Sequence, residues 1–125
     1  MLRAALLLLC LSYFASAADL TGKWVGRSQL PADRQNGMPS AVFYGVILEL
    51  AQNGNEVTGT YKDPHEPLAR LQFGRVENDK LILWFHNYRN VLLTGEFTLR
   101  DGWLTGRLTT SSGDLLRVAL KKNAE

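Results

Sequence analysis

Residues 92–110 read LLTGEFTLRDGWLTGRLTT, two runs of alternating apolar and polar side chains hinged on Asp101-Gly102. Period two is the mark of a half-buried strand, and a two-residue Asp-Gly link is a favoured type I′ hairpin turn. Folding the runs about that turn tests the assignment, because a wrong register would carry polar side chains to the core face. It pairs Leu99 with Leu104 and Phe97 with Gly106 on one face. On the other it pairs Arg100 with Trp103, Thr98 with Thr105 and Glu96 with Arg107. That second set is a cation–π contact, a threonine pair and an opposite-charge pair, which suit an outer sheet face.

The same pattern runs outward in both directions. Eight strands are predicted, at Leu20–Arg27, Ala41–Ala51, Glu56–Lys62, Leu68–Val76, Lys80–Asn87, Val91–Arg100, Trp103–Thr110 and Leu115–Lys122, with turn residues between them. No window shows a helical stripe bounded by caps. Asn53-Gly54 reads as a second type I′ turn, pairing Leu50 with Val57, Leu48 with Gly59, Val46 with Tyr61 and Glu49 with Thr58. Ser111-Ser112-Gly113 fits a three-residue loop that pairs Leu108 with Leu116 and Gly106 with Val118.

A short motif, apolar-Thr-Gly-x-apolar, recurs at Leu20–Trp24, Val57–Tyr61, Leu93–Phe97 and Leu104–Leu108, each time with glycine on the inner face. Glycine weakens a strand interior, so the repetition needs a geometric reason. Tight coiling of a small barrel, with room for facing rings, supplies one; ordinary edge bulges are the plainer alternative. Eight sequential strands on short connections make an antiparallel up-and-down meander. Closing it into an all-β barrel removes the edges that an open sheet or sandwich would leave.

In such a meander the alternate connections collect at opposite ends. Those around Asn53-Gly54, Asn78-Asp79 and Asp101-Gly102 are tight and close one end. The other carries a long loop, Ser28–Ser40, with Asp63–Pro67, Tyr88–Asn90 and Ser111–Gly113, and reads as a mouth with a lid. An eight-stranded barrel either holds one small ligand or is filled by its own side chains. Inner residues Tyr44, Tyr61 and Phe85 are the expected ligand contacts; together with Trp24, Phe73 and Phe97 they would equally fill the interior. Phe43, Ile47, Ile82, Trp84, Leu92 and Trp103 fall on the outer face, and Ile82, Trp84 and Trp103 mark it as a partner or self-association surface.

The chain opens with Arg3, an apolar run Ala4–Leu11 and Ala15-Ser16-Ala17, the pattern of a signal peptide spanning 1–17 and cleaved after Ala17 or Ala18. A membrane anchor is the competing reading, but the uncharged stretch ends at Asp19, short of the ~20 apolar residues a spanning helix needs. Export, to a periplasm or the exterior, of one domain at 20–125 is therefore expected. Leu9 before Cys10 argues against a lipid anchor, and cleavage removes the single cysteine, leaving no disulfide, thiol chemistry or thiolate metal site. The net charge is +2, with Lys and Arg scattered along the chain, so nucleic acid is not an expected partner.

His65 and His86 fall near the mouth, with Asp63 and Glu66 close by, but their spacing matches no standard metal pattern. Solvated loop residues are the better reading, and no metal or cofactor is expected. No Ser-His-Asp signature, glycine-rich phosphate loop or recognisable carboxylate pair is present, so no catalytic residue is assigned and enzyme is the least favoured class.

Leu20-Thr21-Gly22-Lys23-Trp24 and Val57-Thr58-Gly59-Thr60-Tyr61 resemble the first and third strands of avidin-type barrels, and Gly22-Lys23-Trp24 is similar to the G-x-W signature of lipocalins. The chain thus resembles the calycin-like barrels, and in its W-x-G and V-T-G-T strands small exported bacterial domains of unknown function. That resemblance implies Tyr61 lining a ligand site and Trp24 packing at the closed end. Gly26 stands where avidins carry an asparagine, and Trp84 and Trp103 face outward, which argues against a biotin site. The expectation is a non-enzymatic barrel binding a small apolar ligand at the loop-rich end. The alternative is a filled barrel acting through its outer aromatic face.

Overall fold

The computed structural model describes residues 19–32 and 35–123. The signal peptide expected at 1–17, with its cleavage point, lies outside the described residues. Nine strands follow in order: β1 Gly22–Leu30, β2 Ala41–Asn53, β3 Glu56–Asp63, β4 Glu66–Arg70, β5 Phe73–Glu77, β6 Lys80–His86, β7 Leu92–Arg100, β8 Trp103–Thr110 and β9 Leu115–Lys122. They pair antiparallel in the order β2-β1-β9-β8-β7-β6-β5-β3, and β3 returns to β2, closing an eight-stranded barrel with β4 as an extra strand.

The hairpin at Asp101-Gly102 has the expected register throughout, from Arg100 opposite Trp103 to Glu96 opposite Arg107. Both turn residues take positive φ, 54° and 82°, as a type I′ turn requires. The β8–β9 register also agrees, with Leu108 opposite Leu116 and Gly106 opposite Val118. The β2–β3 hairpin differs. Its turn is Gly54-Asn55 rather than Asn53-Gly54, so Leu50 faces Gly59, Leu48 faces Tyr61 and Ala51 faces Thr58. Only Gly54 has positive φ (64°), the type II′ requirement of glycine at the first central position. Each partner moves by two residues, which preserves the faces: Leu48, Leu50, Val57 and Tyr61 stay buried.

A larger departure is the single strand expected over Leu68–Val76. Leu71 N donates to Gly59 O of β3 at 2.9 Å, and the next amide, Gln72 N, donates to Trp84 O of β6 at 3.0 Å. The chain changes partner between consecutive residues, and the strand breaks into β4 and β5. Leu71 points inward at 8% exposure, whereas Phe73 lies on the outer wall, its ring stacked 4.0 Å from that of Trp84. Phe73 is therefore not an interior filler.

The inner face carries the core. Val46, Leu48, Leu81, Leu83, Phe85, Phe97, Leu104, Leu108 and Leu120 are each at most 1% exposed. Burying one such side chain contributes roughly 1.5–3 kcal/mol, so this set is the main source of stability in a domain without disulfides. The close coiling read from the Thr-Gly motifs is visible at Gly106, where an added Cβ would stand 2.0 Å from Glu96 O of the neighbouring strand.

Candidate functional site

The two ends of the barrel are built differently. At the tight-turn end Trp24 is 3% exposed and donates its indole N–H to Leu20 O at 2.9 Å. Gln52 fastens the entering chain across this end. Its Oε1 accepts from Leu20 N at 2.8 Å, its backbone N donates to Thr21 Oγ1 at 2.9 Å, and its Nε2 donates to Gly54 O at 3.0 Å. The resemblance-based placing of Trp24 at the closed end agrees with this geometry.

At the other end the burial pattern loosens. The rings of Tyr61 (β3) and Phe85 (β6) stack at 4.9 Å across the gap where the strand has split into β4 and β5, and both are buried. They form a floor. Above it stand half-buried apolar side chains: Leu30 at the end of β1, Phe43 of β2, Ala69 of β4 and Leu116 of β9. Ser28, 2% exposed, is the buried polar residue of the described part, and it sits opposite both Phe43 and Val118. These side chains and the buried Ser28 make up the inner lining of the loop-rich end.

The rim is set by short turns. Asp63 Oδ1 accepts from His65 N at 2.8 Å, an Asx turn that shapes the β3–β4 hairpin, and the His65 ring meets Phe43 edge-on at 5.2 Å. Asn87 Oδ1 accepts from Arg89 N at 2.9 Å and Val91 N at 3.0 Å, fixing the β6–β7 loop. Arg89 Nε donates to Tyr88 Oη at 2.8 Å. Burial, then the Asp63 carboxylate, holds the Glu66 carboxyl above its ordinary value, with Arg89 and His65 acting the other way. Burial, with Asp63 and Glu66 adding to it, pushes the Tyr61 hydroxyl well above its usual range, so it stays protonated and can donate.

Of the expected ligand contacts, Tyr61 and Phe85 come together and Tyr44 does not. Opposite Gly26 and Arg27 the β2 partner jumps from Val46 to Tyr44, leaving Gly45 as an extra residue at φ 80°. This bulge exchanges the faces beyond it: Val46 is fully buried and Tyr44 is 69% exposed. It also turns Phe43 inward, against the outward placing that unbroken alternation gave. A glycine inside a strand pattern is itself a bulge signal, so Gly45 was the available clue.

The expected outer face is not continuous. Trp84 and Trp103 are both exposed, but Trp84 aligns across the sheet with Thr94 and Thr109, six residues along β8 from Trp103 and so roughly 20 Å away. Between them lie Thr98, Thr105, Arg107 and the ion pair of Lys80 with Glu96 at 2.8 Å. The two histidines also part: His65 is on the rim, while His86 lies on the outer side with its Nδ1 hydrogen-bonded to Gln72 Oε1. Among the described residues no group of three His, Cys, Asp or Glu is placed to hold a metal, and no helix is long and apolar enough to cross a membrane.

No protein-family profile and no curated protein matches the chain. Among solved structures, two mutants of the fluorescent protein UnaG are similar in fold, at TM-scores of 0.49 and 0.48 and sequence identities of 13% and 12%, each covering 85% of this chain and 97% of its own. Identity at that level says nothing of a ligand. The closed all-β architecture stands on the strand pairing.

Proposed function

We propose that the chain is an exported, non-catalytic barrel that binds a small, largely apolar ligand at its loop-rich mouth. The observation that carries this reading is the contrast between the ends: one sealed by Trp24, Leu20 and Gln52, the other a half-buried collar of Leu30, Phe43, Ala69 and Leu116 above the Tyr61–Phe85 floor. Ligand sites combine apolar walls with a few converging polar groups, and here Ser28, Tyr61 and the Asp63–Glu66 pair supply them. Carboxylates at the rim favour a ligand whose polar end donates hydrogen bonds. Export rests on the signal-peptide pattern of Arg3, Ala4–Leu11 and Ala15-Ser16-Ala17.

Native mass spectrometry of protein purified from its own host, followed by analysis of any small molecule released on denaturation, tests this. A stoichiometric adduct is expected in the wild type and lost in Ala69→Trp, where an indole would fill the collar, with the circular dichroism spectrum unchanged. An adduct that survives both Ala69→Trp and Phe43→Ala removes the reading. Interaction through the outer face is the second reading, and the stack of Phe73 on Trp84, which fixes two rings side by side on that face, favours it. Under it, Trp84→Ser would abolish a stable oligomer or complex.

A further inference from the structure

Folding assembles what the sequence scatters. The outward positions of β8, β9 and β1 hold Arg107, Arg117, Lys121, Lys23 and Arg27 and no carboxylate. Ala119 lies at the centre: Arg117 and Lys121 flank it on β9, Arg27 pairs with it from β1, and Thr105 from β8. The small side chains of Ala119 and Thr105 leave the surrounding cations standing proud of the wall. Arg107 and Arg117 are direct cross-strand partners, an arrangement that like charges disfavour. Among the described residues the ion pairs are Arg75–Glu77 and Lys80–Glu96, so Arg27, Arg117 and Lys121 take part in none. The carboxylates opposite this wall are at its borders: Glu49 faces Lys23, and Glu96, paired with Lys80, faces Arg107.

Two exposed aromatic residues frame the cluster. Trp103, 42% exposed, is the partner of Lys121, whose Nζ lies 5.7 Å from the indole, and Tyr44, 69% exposed, is the partner of Arg27. Val42, on the same side of β2, adds an exposed apolar group. We propose that this wall docks on an anionic phospholipid surface. Cations with interleaved Trp, Tyr and aliphatic side chains suit a headgroup layer, where the charges meet phosphates and the rings sit at the interface. Exposed apolar surface separates this partner from a soluble polyanion, which would engage the charges and leave the aliphatic Val42 beside them without a contact.

The test is co-sedimentation of the purified protein, its N-terminal processing first established by mass, with mixed phosphatidylcholine–phosphatidylglycerol vesicles and with pure phosphatidylcholine. Binding is expected to the mixed vesicles alone and to weaken as salt rises. Each basic side chain near such a surface contributes roughly a fivefold gain, so Arg27→Gln with Arg117→Gln should lower partitioning about 25-fold. A blue shift of tryptophan emission on binding should vanish in Trp103→Ser and persist in Trp84→Ser. Equal binding to neutral vesicles, or partitioning unchanged in the double variant while its fold is intact, overturns the proposal. Binding of heparin or single-stranded DNA through the same arginines, with no vesicle binding, would reassign the wall to a soluble polyanion.

Discussion

Gly106 shows how much one hydrogen atom in place of a methyl group decides here. Its inner position faces the backbone of β7, where a Cβ would lie 2.0 Å from Glu96 O and 2.7 Å from Phe97 Cα. Backbone in a closed barrel cannot retreat, so Gly106→Ala should cost about 3 kcal/mol, read as a lower urea midpoint. A loss well under about 1 kcal/mol in Gly106→Ala would show that the neighbouring strand gives way after all. Glu66 makes a second prediction at this scale. Burial raises its carboxyl above the unfolded value of 4.5, so its protonated form is favoured in the fold. The folded state then binds more protons than the unfolded one between these two values. Stability supplied by Glu66 is fully present below pH 4.5 and is lost as pH rises through the raised value. Glu66→Gln should therefore melt higher than wild type at neutral pH and lose that advantage toward pH 4. A gain of the same size at both pH values would mean the carboxylate's burial is not the cause. Alternation assigned Tyr61, Phe85 and Trp24 to the inner face, where they lie, and misplaced Tyr44, Phe43 and Phe73.

Strands were legible where alternation ran unbroken and misleading where one residue interrupted it. In β7, β8 and β9 the alternation, the Asp101-Gly102 turn and the Ser111–Gly113 loop all agree, and the registers follow from them. In β2 one extra residue, Gly45, reverses the face of everything before it, which moved Tyr44 out of the candidate site and Phe43 into it. In the β4–β5 region nothing local announces the exchange of partners at Leu71-Gln72, because that break answers to the gap between β3 and β6, a long-range feature. The collar was illegible for the same reason: Leu30, Phe43, Ala69 and Leu116 come from four strands and meet only through closure. The β2–β3 turn offers a direct check of register. With Gly54-Asn55 as the turn, Asn53 is a strand residue opposite Glu56, so Asn53→Thr should be near neutral, while Gly54→Ala at φ 64° should cost about 1–2 kcal/mol in thermal or urea unfolding. A comparable loss in Asn53→Thr would restore the Asn53-Gly54 turn, where asparagine supplies the first positive φ.

Across the whole molecule the barrel is unevenly closed. β7 and β8 align over eight residue pairs, whereas β5 meets β3 at the single pair Glu56–Arg75, helped by Val76 N donating to Asn55 O at 2.8 Å. Local opening starts where ladder hydrogen bonds are few, so amide exchange at Leu71 and Val76 should outrun that at Gly106 and Leu108 well below global unfolding. Uniform protection around the barrel would contradict this. The same seam separates the two binding surfaces. The Tyr61–Phe85 floor spans the gap from β3 to β6, so a ligand held above it ties the two sides together. Its binding should slow exchange at Leu71 in particular. Docking through Arg27, Arg117 and Lys121 engages β9 and β1, whose pairing is continuous from Trp24 to Gln29, and should leave the seam's exchange as it was. Protection of Leu71 by the released small molecule but not by anionic vesicles would assign the mouth and the wall to different ligands. If vesicles protect Leu71 as well, the mouth itself meets the membrane.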